Sequence, residues 1–176
     1  MSIQIENNDD DQNVEGQLAD TDRGLVEEPD GTPLYTLLLI GGFILVFVSQ
    51  MSTGFERSID VAAFIKPAFF DGQYWRILTG AALHGSILHA GLNGYAFYSF
   101  GRICELLTNR AHVAIVFLLS AVGGGLMSAF LAPEGTSVGA SGGIVGVIGY
   151  LAVYAFRRRA FISPEFRKSL MINIGF

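Results

Sequence analysis

The sequence predicts an all-α fold, a polytopic transmembrane helix bundle with four full spanning helices and the start of a fifth. Two observations carry this. Apolar residues make up 51% of the chain and charged residues only 15%, where ordinary soluble domains hold about a quarter charged. The apolar residues also gather into stretches near the ~20 residues that cross a hydrocarbon core of about 30 Å at about 1.5 Å per residue.

The first 33 residues stand apart. They carry ten acidic side chains and one basic one, Arg23, so an arm of formal charge -9 precedes a body of +4. With so few aromatic and β-branched residues the arm cannot bury enough apolar surface to fold alone. It is expected to be a disordered, cytoplasmic arm (1–33) ahead of a membrane domain (34–176). No basic segment runs directly into an apolar one at the start, so no cleavable signal is expected.

The first spanning stretch runs from Leu34 to Met51. A long link, Ser52 to Ala81, follows with Phe64, Phe69, Phe70, Tyr74 and Trp75. Aromatics at that density suit the boundary between lipid and water, and short helices lying on the membrane are expected there. The second stretch, Ala82 to about Cys104, contains polar residues. The third is His112 to Leu131 and the fourth Gly142 to Phe156. A fifth run opens at Ser169. From there to Phe176 a helix reaches about 12 Å, so the membrane domain is expected to be incomplete at its C-terminal side.

Basic residues set the orientation. Arg102 and Arg110 flank the link after the second stretch, and Arg157, Arg158, Arg159, Arg167 and Lys168 fill the link after the fourth. Lys and Arg beside helix ends favour the cytoplasmic side. Both links are therefore expected inside, with the N-terminal arm, in the plasma (inner) membrane if the source is bacterial. The single cysteine, Cys104, excludes an intramolecular disulfide and reads as a small buried residue. No metal-ligand or cofactor pattern is present, so no metal and no cofactor are expected; neither is nucleic acid.

His84, His89, Asn93 and Glu105 interrupt the second stretch. A charged group at the bilayer centre costs about 2.5–3.5 kcal/mol on insertion scales, and neutral polar groups still need partners. His89 and Asn93 are four apart and share one helix face. Both can donate hydrogen bonds into the same space, or simply bind each other, a neighbouring helix or water. Ser141 lies between Gly139 and Gly142, after a loop with Pro133 and Gly135 and before an apolar run. That reads as a tight turn opening a helix. An N-cap is the ordinary role for such a serine. The glycines also clear space around its hydroxyl, and helix-start N–H groups favour negative charge. Those amides, with His89 and Asn93, suit the oxyanion of a tetrahedral intermediate, where each donor contributes about 2.7–4 kcal/mol.

Tyr74-Trp75-Arg76, then His84, His89 and Asn93, then Gly101 and Glu105, then Gly139-Ala140-Ser141-Gly142 follow one another in an order that resembles the rhomboid family of intramembrane serine proteases. The resemblance covers most of residues 34–176. It implies a rhomboid-like bundle, with Ser141 as nucleophile and His89 and Asn93 in the oxyanion hole. Trp75 and Arg76 would be structural, and Gly101 and Glu105 would stabilise the cytoplasmic side. Substrates would be transmembrane proteins in the lipid bilayer, cleaved in or near their spanning segments. The family's general base is a histidine on a sixth helix, and no histidine follows His112 here. A serine hydroxyl is a weak nucleophile without a base, so the 176-residue chain is expected to be inactive by itself. The position four after the serine, often aromatic in the family, is Val145. Two other classes fit less of the pattern. One is a rhomboid-like pseudoprotease that binds membrane clients without cleaving them. The other is a glycine-packed channel or transporter, for which the central polar residues are too few.

Overall fold

The computed structural model describes residues 31–158 together with 163–165, 168, 169 and 172. The acidic arm up to Asp30, and most of the run expected after Ser169, lie outside the described residues. In chain order the elements are α1 (Leu34–Thr53), α2 (Phe55–Ala62), β1 (Phe64–Ile65), α3 (Lys66–Phe70), α4 (Arg76–Ala82), α5 (Ile87–Leu107), α6 (Arg110–Leu131), β2 (Thr136–Ser137) and α7 (Ser141–Arg157).

Two of these helices, α1 and α6, are long and apolar enough to cross a membrane, with mean hydropathy 2.0 and 2.1. α7 is apolar but has 17 residues. α5 has 21 residues but carries the polar ones. The surface differs from that of a soluble protein. Leu45, Leu119, Tyr95 and Leu131 are exposed, while Thr36, Gln50, His84, Asn93 and Glu105 are buried. An apolar outside with polar groups drawn in among the buried residues is what lipid requires, because lipid offers polar groups no hydrogen bonds.

The stretch expected as one helix from Ala82 to Cys104 is two elements. Ala82 ends α4, and α5 starts only at Ile87. The cause is local. Gln50 of α1 takes both main-chain groups of His84, its Oε1 accepting from the His84 N–H at 2.9 Å and its Nε2 donating to the His84 carbonyl at 3.1 Å. A residue held that way cannot join a helix ladder. Ser86 is extended and caps α5, its Oγ accepting from the His89 N–H at 3.1 Å. His84 thus precedes the helix that carries His89 and Asn93.

α5, α6 and α7 form the core through Phe97, Cys104, Val113, Phe117, Ile144, Val147 and Leu151. Phe43 of α1 joins by ring contacts to Phe97 and Phe117. Small residues let the backbones approach: a Cβ at Gly146 of α7 would overlap the Ser120 side chain of α6. Such close approach is a main source of helix association in lipid.

The start of α1 has no side-chain cap of its own. Glu105 of α5 supplies one from a distance. Its Oε1 accepts from the Thr36 N–H at 2.6 Å and the Thr36 hydroxyl at 2.7 Å, and its Oε2 accepts from the Tyr35 N–H at 3.3 Å. A carboxylate on the free N–H groups of a helix start satisfies them and complements the helix dipole. Gly101, one turn earlier, leaves the room Thr36 occupies, since a Cβ there would sit 2.7 Å from the Thr36 hydroxyl oxygen.

The link between α1 and α5 is folded, as its composition suggests, into the short helices α2, α3 and α4. Arg76 holds it together. Its guanidinium donates to the Ala63 and Asp60 carbonyls at 3.0 and 3.1 Å and to Gln73 Oε1 at 2.6 Å, and lies 4.8 Å from the Trp75 ring centre. A two-stranded antiparallel sheet was not foreseen. β1 pairs with β2 through Phe64 with Ser137 and Ile65 with Thr136.

Candidate active site

Ser141 is the first residue of α7. It is not the helix cap. Ala140 holds that position, and no side chain caps the helix. The Ser141 side chain is exposed and makes no hydrogen bond with the described residues. It lines a cavity of about 200 Å³ walled by Gly80, Ala81, Gly124, Gly139 and Gly142 among others. The first bond of the helix ladder closes from the Ile144 N–H to the Ala140 carbonyl at 3.1 Å. The N–H groups of Ser141, Gly142 and Gly143 therefore stand outside the ladder at the positive end of α7.

The turn before Ser141 is pinned on two sides. The Gly139 N–H donates to the Gly80 carbonyl at 2.9 Å, and the Lys66 N–H donates to the Gly135 carbonyl at 3.1 Å, extending the β1–β2 pairing. Gly139 has φ +118°, a conformation that side chains rarely adopt. It also has no room for one. A Cβ at Gly139 would lie 2.7 and 2.8 Å from Cε1 and Nε2 of His89, and 3.5 Å from Nδ2 of Asn93. The backbone two residues before Ser141 thus rests on the very pair the sequence singled out.

Asn93 is buried, and its Nδ2 has no hydrogen-bond partner among the described residues. Buried amide donors are nearly always paired, and this one stands beside the Ser141 turn without a partner among the described residues. The half-buried His89 ring likewise makes no hydrogen bond with the described residues. It packs edge-to-face on His84, 5.3 Å between ring centres. His84 is wedged against Phe43 and Phe47 and is itself fully packed.

His112 lies away from this group. It opens α6 and meets Tyr150 of α7, whose hydroxyl is 3.3 Å from its Nδ1. Tyr150 is nine residues along α7 from Ser141, which is about 13 Å of helix. Val145, one turn after Ser141, is exposed. Sequence reasoning missed Gln50 and Thr36. The signal was there for Gln50, a polar residue near the end of an apolar stretch.

The rhomboid domain model matches residues 71–176, which takes in α4 to α7 and every residue of the group around Ser141. The chain belongs to the rhomboid family. Among rhomboids, it is 30% identical over 155 residues to the rhomboid protease GluP of Bacillus subtilis, covering 84% of this chain and 30% of that protein. It is 35% identical over 108 residues to rhomboid-like protease 3 of Toxoplasma gondii, covering 61% of this chain and 41% of the relative. It is also 34% identical over 79 residues to inactive rhomboid protein 1 of Drosophila melanogaster, covering 45% and 6%. The chain thus spans less than half the length of these relatives, and the rhomboids it resembles include both proteases and an inactive form.

Proposed function

We propose that the protein is an intramembrane serine endopeptidase that cleaves membrane-protein substrates in or near their transmembrane segments. The free Asn93 amide beside the Ser141 turn is the observation that carries this reading. Ser141 Oγ attacks the scissile carbonyl as a general base takes its proton, and the carbonyl oxygen becomes an anion. Asn93 Nδ2, the His89 ring N–H and the unladdered amides of α7 receive that charge. Collapse of the intermediate breaks the peptide bond, protonates the leaving amine and leaves an acyl-serine for water to hydrolyse. In this reading His89 serves the oxyanion, His84 is packed behind it against Phe43 and Phe47, and His112 meets Tyr150 away from Ser141, so the proton goes to a further histidine.

In this reading α1, α5, α6 and α7 all span the bilayer, with the N-terminus cytoplasmic and the Ser141 end of α7 towards the outer face. A bacterial source would place the protein in the plasma (inner) membrane. A fluorophosphonate probe tests the nucleophile in a protein extended beyond Phe176. Labelling that disappears in Ser141→Ala is the expected result, and labelling that survives that substitution overturns it.

A second reading is a pseudoprotease that binds membrane clients, favoured by the placement of His112 beside Tyr150 and away from Ser141. A client that co-purifies equally with the parent and with Ser141→Ala, with no probe labelling of either, would select it.

A further inference from the structure

A second cavity, about 470 Å³, lies where α1, α2 and α4 meet. Val46, Val61, Ala82 and Leu83 make much of its wall apolar, and Arg57 stands at its edge. Three of the four hydroxyl groups that line it are already engaged within the protein. Thr53 donates to the Ser49 carbonyl, Ser58 to the Phe55 carbonyl and Thr79 to the Ala62 carbonyl. Arg57 is different. Its guanidinium is exposed and has no ion pair or hydrogen bond with the described residues, although Glu56 and Asp60 lie on the same helix.

A planar cation with unused donors beside an apolar cleft matches one kind of ligand, an acyl chain ending in an anionic oxygen group. The surroundings select the source. Val61, in the wall of the cleft, is an exposed apolar residue, so the mouth opens on an apolar surface of the kind that faces lipid. α2 is short and two-sided. Phe55 and Ile59 are half-buried while Glu56, Arg57 and Asp60 are exposed, the pattern of a helix lying in a membrane interface.

We propose that this cleft binds a phospholipid, with Arg57 on the headgroup phosphate and an acyl chain along Val46 and Val61. The preferred lipid is a net anionic one such as phosphatidylglycerol, because nothing described neutralises Arg57. The occupant also touches Gln50, which lines the cleft and holds the His84 main chain next to His89. The site is independent of whether Ser141 is a nucleophile.

Native mass spectrometry of the delipidated protein in neutral detergent, titrated with phosphatidylglycerol or phosphatidylcholine, tests this. One retained phosphatidylglycerol per chain is expected, with weaker retention of phosphatidylcholine. Arg57→Gln should weaken retention by about tenfold or more, the loss of one charge-assisted hydrogen bond. Arg57→Lys should keep most of it, and Ser49→Trp, which fills the cleft from an exposed position, should remove it. Unchanged retention in Arg57→Gln with an unchanged unfolding midpoint, or equal retention of both lipids, overturns the proposal. So does displacement by millimolar inorganic phosphate, which would make this a free-anion site.

Discussion

Gly139 lies against His89 so closely that a single added carbon would stand 2.7 Å from the imidazole Cε1. The contact joins the turn before Ser141 to the helix carrying His89 and Asn93 by backbone against ring. Glycine is required there on two independent counts, space and a φ of +118°.

Gly139→Ala is therefore expected to push the His89 ring aside and strain the turn by about 1–2 kcal/mol. Displacement of about 1 Å in a catalytic constellation can cost about 100-fold in rate. An extended, active protein should show that loss in peptide cleavage while its unfolding midpoint falls only modestly. Undiminished cleavage would mean that His89 does not act from its observed position.

Asn93→Ala should lower kcat by about 100- to 1,000-fold, the effect of losing one oxyanion donor. KM should change little, because the amide acts on charge that develops only in the transition state. A raised KM with kcat intact would instead assign Asn93 to substrate binding.

Glu105→Gln should destabilise the fold by about 1.5–3 kcal/mol, the range for hydrogen bonds to a charged group. The carboxylate accepts from the Tyr35 and Thr36 N–H groups and from the Thr36 hydroxyl. An amide would turn a donor towards donors. Reversible unfolding in mixed micelles measures the loss, and no change would show that the start of α1 is satisfied some other way.

Gly146→Val should drive α6 and α7 apart, because Ser120 already occupies the space its side chain needs. Adding Ser120→Gly should restore part of the lost stability. The check is a double-mutant comparison of unfolding midpoints, in which simple additivity would exclude direct contact as the cause.

The residues around Ser141 were legible because each broke a rule of its surroundings. Polar His89 and Asn93 in an apolar stretch are costly in lipid, and their spacing of four is a local property of one helix. What stayed hidden depends on partners far apart in sequence. Gln50 and His84 are 34 residues apart, and Thr36 and Glu105 are 69 apart. No periodicity records such pairs. Two-residue strands leave no alternation to read, so the pairing of Phe64 with Ser137 was invisible too. The helix break at His84 was missed for the same reason, since its cause is a side chain on another helix.

The β1–β2 pairing ends at Ser137, and α7 begins at Ser141. Only Val138, Gly139 and Ala140 lie between, with Gly139 tied to Gly80 midway. This segment has no slack, so a one-residue insertion within it would rotate Ser141 relative to Asn93 instead of bulging outward. Length variation has a natural outlet only upstream, at residues 132–134, where the chain is exposed and outside any helix or strand. Insertions or deletions among working relatives should collect there and spare the three residues that follow Ser137.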